Sequence, residues 1–295
     1  TSVFIPNSVK SIGNYAFQGC KSVTSVDISN SVTSIGNRAF SDCTNLSAVT
    51  LPQSVTTIGD LAFCRCSEIR SVELPSSVKT IGSAAFTDCS NLSSITIPDS
   101  VTDIGNSTFF NCIKLATVNI PKSVTAIGYN VFYNCSSLSS ITIPDAVTSI
   151  GTNAFYGCQN LATIKSLNPT PPEISSNTFM ESHYQNAELF VAPGAKALYW
   201  IHPVWENFVH LGEIESMGVE AILSESSNFI ITQSEGILKV SGLQDGEILT
   251  VYFTNGTKIA TLKPTGGVAS MNPFGLQGKV VVLSVRGKNA KVMLK

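Results

Sequence analysis

Charge is scarce in this sequence. Of its 295 residues only 13% are charged, and 18 Lys and Arg are balanced by 20 Asp and Glu, which gives a formal net charge of −2. Proteins that bind nucleic acids usually carry a basic face that neutralises phosphates. The basic residues here are scattered without runs, so the composition argues against a nucleic-acid partner.

Residues typical of catalytic and metal sites are scarce as well. The three histidines, His183, His202 and His210, have no carboxylate or cysteine at the spacing of a metal site or a catalytic triad. Asp27 and Glu73 are expected on one face two repeats apart, and a separation of about 9.6 Å together with full solvation disfavours a catalytic carboxylate pair there. We therefore expect no catalytic residues, no metal ligands and no cofactor, and a protein that is not an enzyme.

Long apolar segments are also missing. No run of 18 or more apolar residues occurs, so no membrane-spanning helix is expected. The residues that follow Thr1 lack the charged and apolar regions of a signal peptide, and none is expected in this chain.

Repetition, by contrast, is abundant. One pattern recurs every 23 residues, seven times over residues 1–161. The invariant positions include a glycine column (Gly13, Gly36, Gly59, Gly82, Gly105, Gly128, Gly151), a phenylalanine column (Phe17, Phe40, Phe63, Phe86, Phe109, Phe132, Phe155) and a cysteine column (Cys20, Cys43, Cys66, Cys89, Cys112, Cys135, Cys158). Such a period predicts a solenoid, because one unit of this size buries its core only against its neighbours.

Each repeat predicts the same local structure. Apolar residues alternate with polar ones before a proline, as in "ITIP" at 95–98, which is typical of a short strand with one buried face. The glycine predicts a turn residue with positive φ, and the apolar residues after it are spaced like one turn of a helix. We therefore predict strands that pair in one parallel sheet, each followed by a turn and a short helix.

The segments "VTLPQSVTTIGDLAFCRCSEI" and "ITIPDSVTDIGNSTFFNCIKL" resemble the 23-residue leucine-rich repeat of BspA-like bacterial surface proteins. The resemblance covers residues 1–161 and implies an α/β, β-rich fold: a leucine-rich-repeat solenoid with a parallel sheet and short helical turns. It also implies an extracellular or outer cell-surface location. The implied function is a non-catalytic adhesion module that binds a protein or glycan on host or neighbouring cells; the alternative is a structural spacer or assembly unit of the bacterial surface without its own ligand.

Two further regions follow the repeats. Residues 162–215 indicate a degenerate repeat and a cap, whose two tryptophans would cover the last open face of the core. Residues 216–295 alternate short strands with "SEG", "QDG" and "TNG" turns, which predicts a small all-β sandwich. This region resembles the C-terminal sorting-type domains of bacterial surface and secreted proteins.

The first repeat begins with a strand at Val3 and Ile5 and has no polar capping unit before it. An uncapped solenoid end exposes its core. We expect either that further repeats precede Thr1 in the full protein or that this edge packs on a second copy.

The cysteine column is expected to be buried and reduced. Side chains on parallel neighbours about 4.8 Å apart point the same way, whereas a disulfide needs facing Cβ atoms about 3.8 Å apart. The eighth cysteine, Cys64, follows Phe63 in a column that we expect to face outward. It is interpreted as an accidental surface thiol, with a reactive or pairing thiol as the alternative.

The column that follows the phenylalanines changes from small or polar residues to aromatic ones. Three successive repeats place Phe110, Tyr133 and Tyr156 there, with Tyr129 nearby. Exposed contiguous aromatics occur at contacts with proteins or sugars. We predict Phe110, Tyr129, Tyr133 and Tyr156 as ligand-binding residues, and the alternative is that the cap covers them. The outward strand positions carry mainly small hydroxyl residues and predict a plain β surface.

Overall fold

The computed structural model describes residues 1–214, 230–234, 237–244, 247–253, 258–271, 280–285 and 288–293. The chain forms two compact units, Thr1–Glu213 and Ile214–Lys295. The finer division at residues 161 and 215 stays a prediction.

Two sets of strands run through the first unit, with one strand of each set per repeat. The longer strands are β1 (Ser2–Ile5), β3 (Ser25–Ile28), β5 (Ala48–Thr50), β7 (Ser71–Glu73), β9 (Ser94–Thr96), β11 (Thr117–Asn119), β13 (Ser140–Ile143) and β15 (Thr163–Ser166). The two-residue strands are β2 (Ser11–Ile12), β4 (Ser34–Ile35), β6 (Thr57–Ile58), β8 (Thr80–Ile81), β10 (Asp103–Ile104), β12 (Ala126–Ile127), β14 (Ser149–Ile150) and β16 (Glu173–Ile174).

Both sets pair in parallel with the same set in neighbouring repeats, except that, within the described residues, the longer strands are unpaired between β5 and β7 and between β11 and β13. In the longer strands Val26 lies opposite Val49, and in the two-residue strands Ile35 lies opposite Ile58. The two-residue strands form one eight-stranded sheet, whereas the longer strands divide into the groups β1-β3-β5, β7-β9-β11 and β13-β15, the last continuing into the cap. The predicted parallel solenoid is confirmed. The second sheet was not predicted, because a two-residue strand is too short to show an alternating pattern.

The segment after each glycine is a run of turns. The prediction of a short helix at this place in each repeat is therefore wrong. The N–H groups of Ala62 and Cys64 donate to the C=O groups of Gly59 and Leu61, three residues back, whereas the N–H of Leu61 donates to Ser83 in the next repeat. In an α-helix every N–H bonds four residues back. Here every second N–H is needed to join neighbouring repeats, so a helix cannot form.

The glycine column is required for close contact between repeats and not for the positive φ that the sequence predicts. Positive φ occurs two and six residues after the glycine, as at Leu61 (56°) and Arg65 (59°), and not at Gly59 or Gly82. A Cβ on Gly82 would lie 2.5 Å from the backbone N of Asp60 and 2.6 Å from the carbonyl carbon of Gly59. Glycine is required because successive repeats approach each other here backbone to backbone.

The phenylalanine and cysteine columns form the core. The phenylalanine rings stack in nearly parallel planes with centroids 5.1 to 5.8 Å apart, and those of the second to seventh repeats are fully buried. Each thiol from the second repeat onward donates to the C=O of the phenylalanine one repeat earlier, as Cys89 does to Phe63 at 3.2 Å. All eight cysteines are free, and for the seven of the column this agrees with the prediction. Burial raises the pKa of the Cys89 thiol well above its usual value.

Two thiols differ from the prediction. Cys64, expected at the surface, is only 5% exposed, because its short side chain does not extend past the neighbouring turns. Burial also raises the pKa of the Cys64 thiol. Cys20 is partly exposed, since no earlier repeat in this chain covers it.

The cap extends the longer sheet and closes the core. Its elements are α1 (Glu181–Asn186), β17 (Glu188–Val191), α2 (Lys196–Trp200), a 3-10 helix (Trp205–Asn207) and β18 (His210–Glu213). Phe179 stacks on Phe155 at 5.2 Å, and the buried Trp205 packs on Phe179 at 5.8 Å. The indole N–H of Trp205 donates to the C=O of Pro172 at 2.7 Å. Trp205 thus covers the end of the phenylalanine column, whereas Trp200, at 65% exposed, does not contribute to closing the core. The assignment of residues 162–215 as a degenerate repeat and cap stays a prediction.

His183 joins the cap to the last full repeat. Its Nδ1 accepts the N–H of Met180 at 3.2 Å, so Nε2 carries the proton and donates to the C=O of Cys158 at 2.8 Å. Burial lowers the pKa of His183 and favours this neutral ring. His183 therefore has a structural role.

The second unit contains antiparallel strands. They are β19 (Ile230–Ser234), β20 (Ile237–Ser241), β21 (Leu249–Phe253), β22 (Lys258–Leu262), β23 (Val268–Met271), β24 (Val280–Val285) and β25 (Lys288–Met293). They form sheets in the orders β19-β20-β23 and β22-β21-β24-β25. A small core takes Leu238 and Val240 from one sheet and Leu249, Val251 and Leu283 from the other. The all-β prediction is confirmed for these strands. The sandwich and the sorting resemblance stay predictions, and the "SEG", "QDG" and "TNG" turns fall mostly outside the described residues.

Candidate protein-interaction surface

Three of the four predicted site residues form one aromatic stack: Phe110, Tyr133 and Tyr156. Their ring centroids are 4.8 Å apart between Phe110 and Tyr133 and 5.8 Å apart between Tyr133 and Tyr156, with planes within 5° and 16° of parallel. Each ring follows a buried phenylalanine in an identical turn. Because the solenoid translates that turn once per repeat, side chains in the same column come into contact.

The aromatic stack remains open to solvent. Tyr156, the member nearest the cap, is 42% exposed, and Phe110 and Tyr133 are partly exposed. The alternative that the cap buries these rings is therefore wrong for this structure. Tyr129 is 53% exposed but lies outside the stack. The structure thus brings together three of the four predicted residues.

Mutual stacking determines which parts of the rings a ligand can reach. Both faces of Tyr133 are occupied, one by Phe110 and the other by Tyr156. To insert a flat group between two rings would take about 7 Å, two van der Waals contacts, which is more than either spacing. The two neighbouring rings therefore restrict access to both faces of Tyr133 and favour contact through its edge and its hydroxyl, which can form hydrogen bonds.

A row of polar side chains, which we call the polar ladder, lies one residue after this column. It consists of Asp42, Arg65, Asp88, Asn111 and Asn134, all with φ between 57° and 61°. The Arg65 guanidinium lies between two carboxylates, with Nη1 3.2 Å from Asp42 Oδ1 and Nε 3.8 Å from Asp88 Oδ2. The amide Nδ2 of Asn111 donates to Asp88 and that of Asn134 donates to Asn111, both at 2.9 Å. These bonds fix the amides that follow Phe110 and Tyr133 in the chain.

Sequence reasoning missed a second group of exposed apolar side chains. In and just after α2, Leu198 is 46% exposed, Trp200 65% and Ile201 73%. The sequence pattern predicts both tryptophans in the interior of the cap. One helical turn instead directs Tyr199 into the core, fully buried, and its neighbours outward. Hydrophobicity alone did not distinguish these positions.

Within the described ranges, no three His, Cys, Asp or Glu side chains lie close enough together to hold a metal ion. None of the helices in that part of the chain has the length and apolar character needed to span a membrane.

A family model for the BspA type leucine-rich repeat region matches six copies, over residues 1–115 and 79–190. The chain belongs to the BspA-type leucine-rich repeat family. The matched residues include every strand of both parallel sheets from β1 to β16 and the whole aromatic stack.

Solved structures of bacterial repeat proteins are similar to this BspA-type chain. A leucine-rich cell surface protein from Faecalibacterium prausnitzii is 40% identical over 59% of this chain and 49% of its own, with a TM-score of 0.55. A leucine-rich repeat protein from Bacteroides ovatus is 28% identical over 65% of this chain and 55% of its own, with a TM-score of 0.54. The repeat protein of T. pallidum is 30% identical over 54% of this chain and 77% of its own, with a TM-score of 0.50.

The BspA-type chain thus spans about half the length of the first two of these structures. No curated protein matches it. These comparisons support a bacterial repeat scaffold of the kind found in cell-surface proteins.

Proposed function

We propose that this chain is a non-catalytic protein-interaction module at the bacterial cell surface or outside the cell, and that the aromatic stack contacts a protein on a host or neighbouring cell. One observation carries the proposal: three successive repeats place rings in a surface column that elsewhere holds smaller or polar residues. Tyr156 remains 42% exposed beside the cap. Contiguous aromatic surface is unusual for a plain spacer.

The stack favours a protein partner over a glycan. Sugars commonly pack on an open aromatic face, but both faces of Tyr133 are occupied by neighbouring rings. Ring edges and tyrosine hydroxyls suit the mixed apolar and polar contacts of a protein interface, where tyrosine often contributes most of the binding energy. The fixed amides of Asn111 and Asn134 add polar groups along the same row.

The surface location rests on relatedness. The protein from Faecalibacterium prausnitzii is described as a leucine-rich cell surface protein, and it shares 40% identity with the matched part of this chain. We extend that location to this chain as part of the proposal.

The test is a binding screen of the purified chain against immobilised matrix proteins and glycans. Tyr133→Ala combined with Tyr156→Ala should weaken binding to a protein ligand by about tenfold or more, since each anchor contributes about 1 kcal/mol or more. Tyr129→Ala, measured alone, shows whether that tyrosine belongs to the contact surface. The melting temperature of each variant separates lost contacts from lost folding.

Tyr15→Ala is the matched control, because Tyr15 is also an exposed turn tyrosine, at 56%, but lies in the first repeat. It should leave binding unchanged. Equal binding by the wild type and the folded double variant would remove the stack as the contact surface. Binding to glycans alone would show that the partner class is wrong.

The spacer function remains a second candidate, supported by the outward strand positions. Thr50, Thr96 and Thr142 are exposed there, and small hydroxyl residues seldom provide strong binding anchors. If the chain is a spacer, none of the immobilised proteins or glycans should retain it, and the aromatic variants should behave like the wild type.

A further inference from the structure

A groove opens on the longer-strand face between β5 and β7. Ladder pairing joins Asp27 on β3 to Thr50 on β5, and Glu73 on β7 to Thr96 on β9. No ladder joins β5 to β7, although both lie within the described part of the chain. A cavity of about 500 Å³ lies at this interruption. Its volume falls within the range of small-ligand pockets.

The groove has an apolar floor and a polar rim. Val49, Leu74 and Pro75 line it and are buried, whereas Thr50 and Glu73 line it and are exposed. Val49 and Leu74 are core residues, 8% and 9% exposed, so the floor offers a narrow strip of apolar contact. The rim offers groups that select a ligand by hydrogen bonding or charge.

A side-chain hydrogen bond also connects the two sides of the rim where the strand ladder is missing. The Ser76 hydroxyl donates to Gln53 Oε1 at 3.3 Å, and both residues line the groove. This bond spans one repeat, so the two sides of the groove are held together although their strands are not paired.

The charge of the groove is negative. Glu73 is the single charged residue among those that line it, and neither Glu73 nor Asp27 forms an ion pair within the described residues. Asp27 precedes Thr50 in the same outward column, one repeat earlier. Arg70, the basic residue closest to β7 in sequence, is exposed and does not line the groove.

We propose that this groove binds a lysine or arginine side chain presented by a protein partner. The cationic head would meet the Glu73 carboxylate at the rim, and the aliphatic stem would lie on Val49 and Leu74. Long basic side chains bury their methylene stems while the charge remains near water, which matches a polar rim above an apolar floor. This site lies in another column from the aromatic stack and does not depend on it.

The probe is a short blocked peptide, acetyl-Gly-Arg-Gly-amide, titrated into the isotopically labelled full chain and followed by amide chemical shifts. The same peptide with citrulline is the neutral control, and the one with lysine tests the second cation. We expect shifts centred on residues 47–53 and 71–76 with the arginine and lysine peptides only. Glu73→Gln should weaken binding by about tenfold, and added salt should weaken it further.

A matched variant pair separates the groove from the surface around it. Thr50→Trp should fill the groove and abolish binding, whereas Thr96→Trp, in the same column on the fully paired strand β9, should not. Equal binding of the citrulline peptide, shifts spread over other acidic positions, or no shifts up to the solubility limit of the arginine peptide would each overturn the proposal.

Discussion

Two adjacent columns of the turn show that repetition sets the spacing of side chains but does not by itself set residue identity. The phenylalanine column stacks at 5.1 to 5.8 Å, and the aromatic stack in the next column has nearly the same spacing, 4.8 and 5.8 Å. The first column is the same residue in all seven repeats, whereas the second runs from Gln18 to Tyr156. Stacking follows from the translation of the repeat, but residue identity is restricted only where the ring fills a closed core.

The smaller residues in the column of the aromatic stack differ from Tyr156 in their exposure to solvent. Ser41 is 2% exposed and Cys64 is 5% exposed, although they occupy the same place in the turn as the 42% exposed Tyr156. Short side chains stay below the level of the neighbouring turns, whereas long ones extend beyond it. Exposure in this column therefore depends on side-chain length as well as on position.

The largest expected effect is in the buried column. Phe86→Ala should lower the free energy of unfolding by about 3 to 5 kcal/mol, because it leaves a cavity between two stacked rings. Chemical denaturation measures this loss. Hydrogen exchange should show weaker protection in the repeats of Phe63 and Phe109, since each contacts Phe86 directly.

Tyr156→Ala is the counterpart in the exposed column and should cost about 1 kcal/mol or less, because part of the ring is already in water. If Tyr156→Ala were as costly as Phe86→Ala, burial would not be what distinguishes the two columns. Loss of protection confined to residues 70–92 in Phe86→Ala would contradict coupling between neighbouring repeats.

A smaller effect is expected in the glycine column, which supplies its own control. Gly82→Ala should cost about 1 to 3 kcal/mol, since its Cβ would overlap the backbone of the previous repeat and force it to shift. Gly13→Ala should be nearly neutral, because nothing lies within 4 Å of a Cβ at Gly13. Thermal melting of the two variants tests this, and equal losses would mean that close approach is not the reason for glycine.

The smallest effect on stability is expected from the thiols, where reactivity is the measurement. Cys20 should react with a thiol reagent in the native protein before the others, because it is partly exposed. Cys64 should react only on unfolding, since it is buried and its thiol pKa is raised. Mass spectrometry after native labelling distinguishes them. Rapid native labelling of Cys64, with Cys20→Ser as the background, would contradict its burial.

The repeat, the parallel solenoid and the free thiols could be predicted from the sequence because each follows from the period. Residues that recur every 23 positions must occupy equivalent places, and stacked equivalents pair in register. The phenylalanine core and the aromatic stack follow from the same rule. The sequence also predicts a cap, since the pattern decays at the point where an open core needs cover.

Tertiary structure alone decided the features that depend on how close neighbouring repeats come. Four such features have no signature in the local sequence: the alternating hydrogen bonds that exclude a helix, the backbone contact at Gly82, the burial of Cys64 and the exposure of Trp200. The groove between β5 and β7 likewise arises where one ladder is interrupted although the sequence pattern continues. A period specifies which residues meet, but the distance and angle at which they meet are set by packing across repeats.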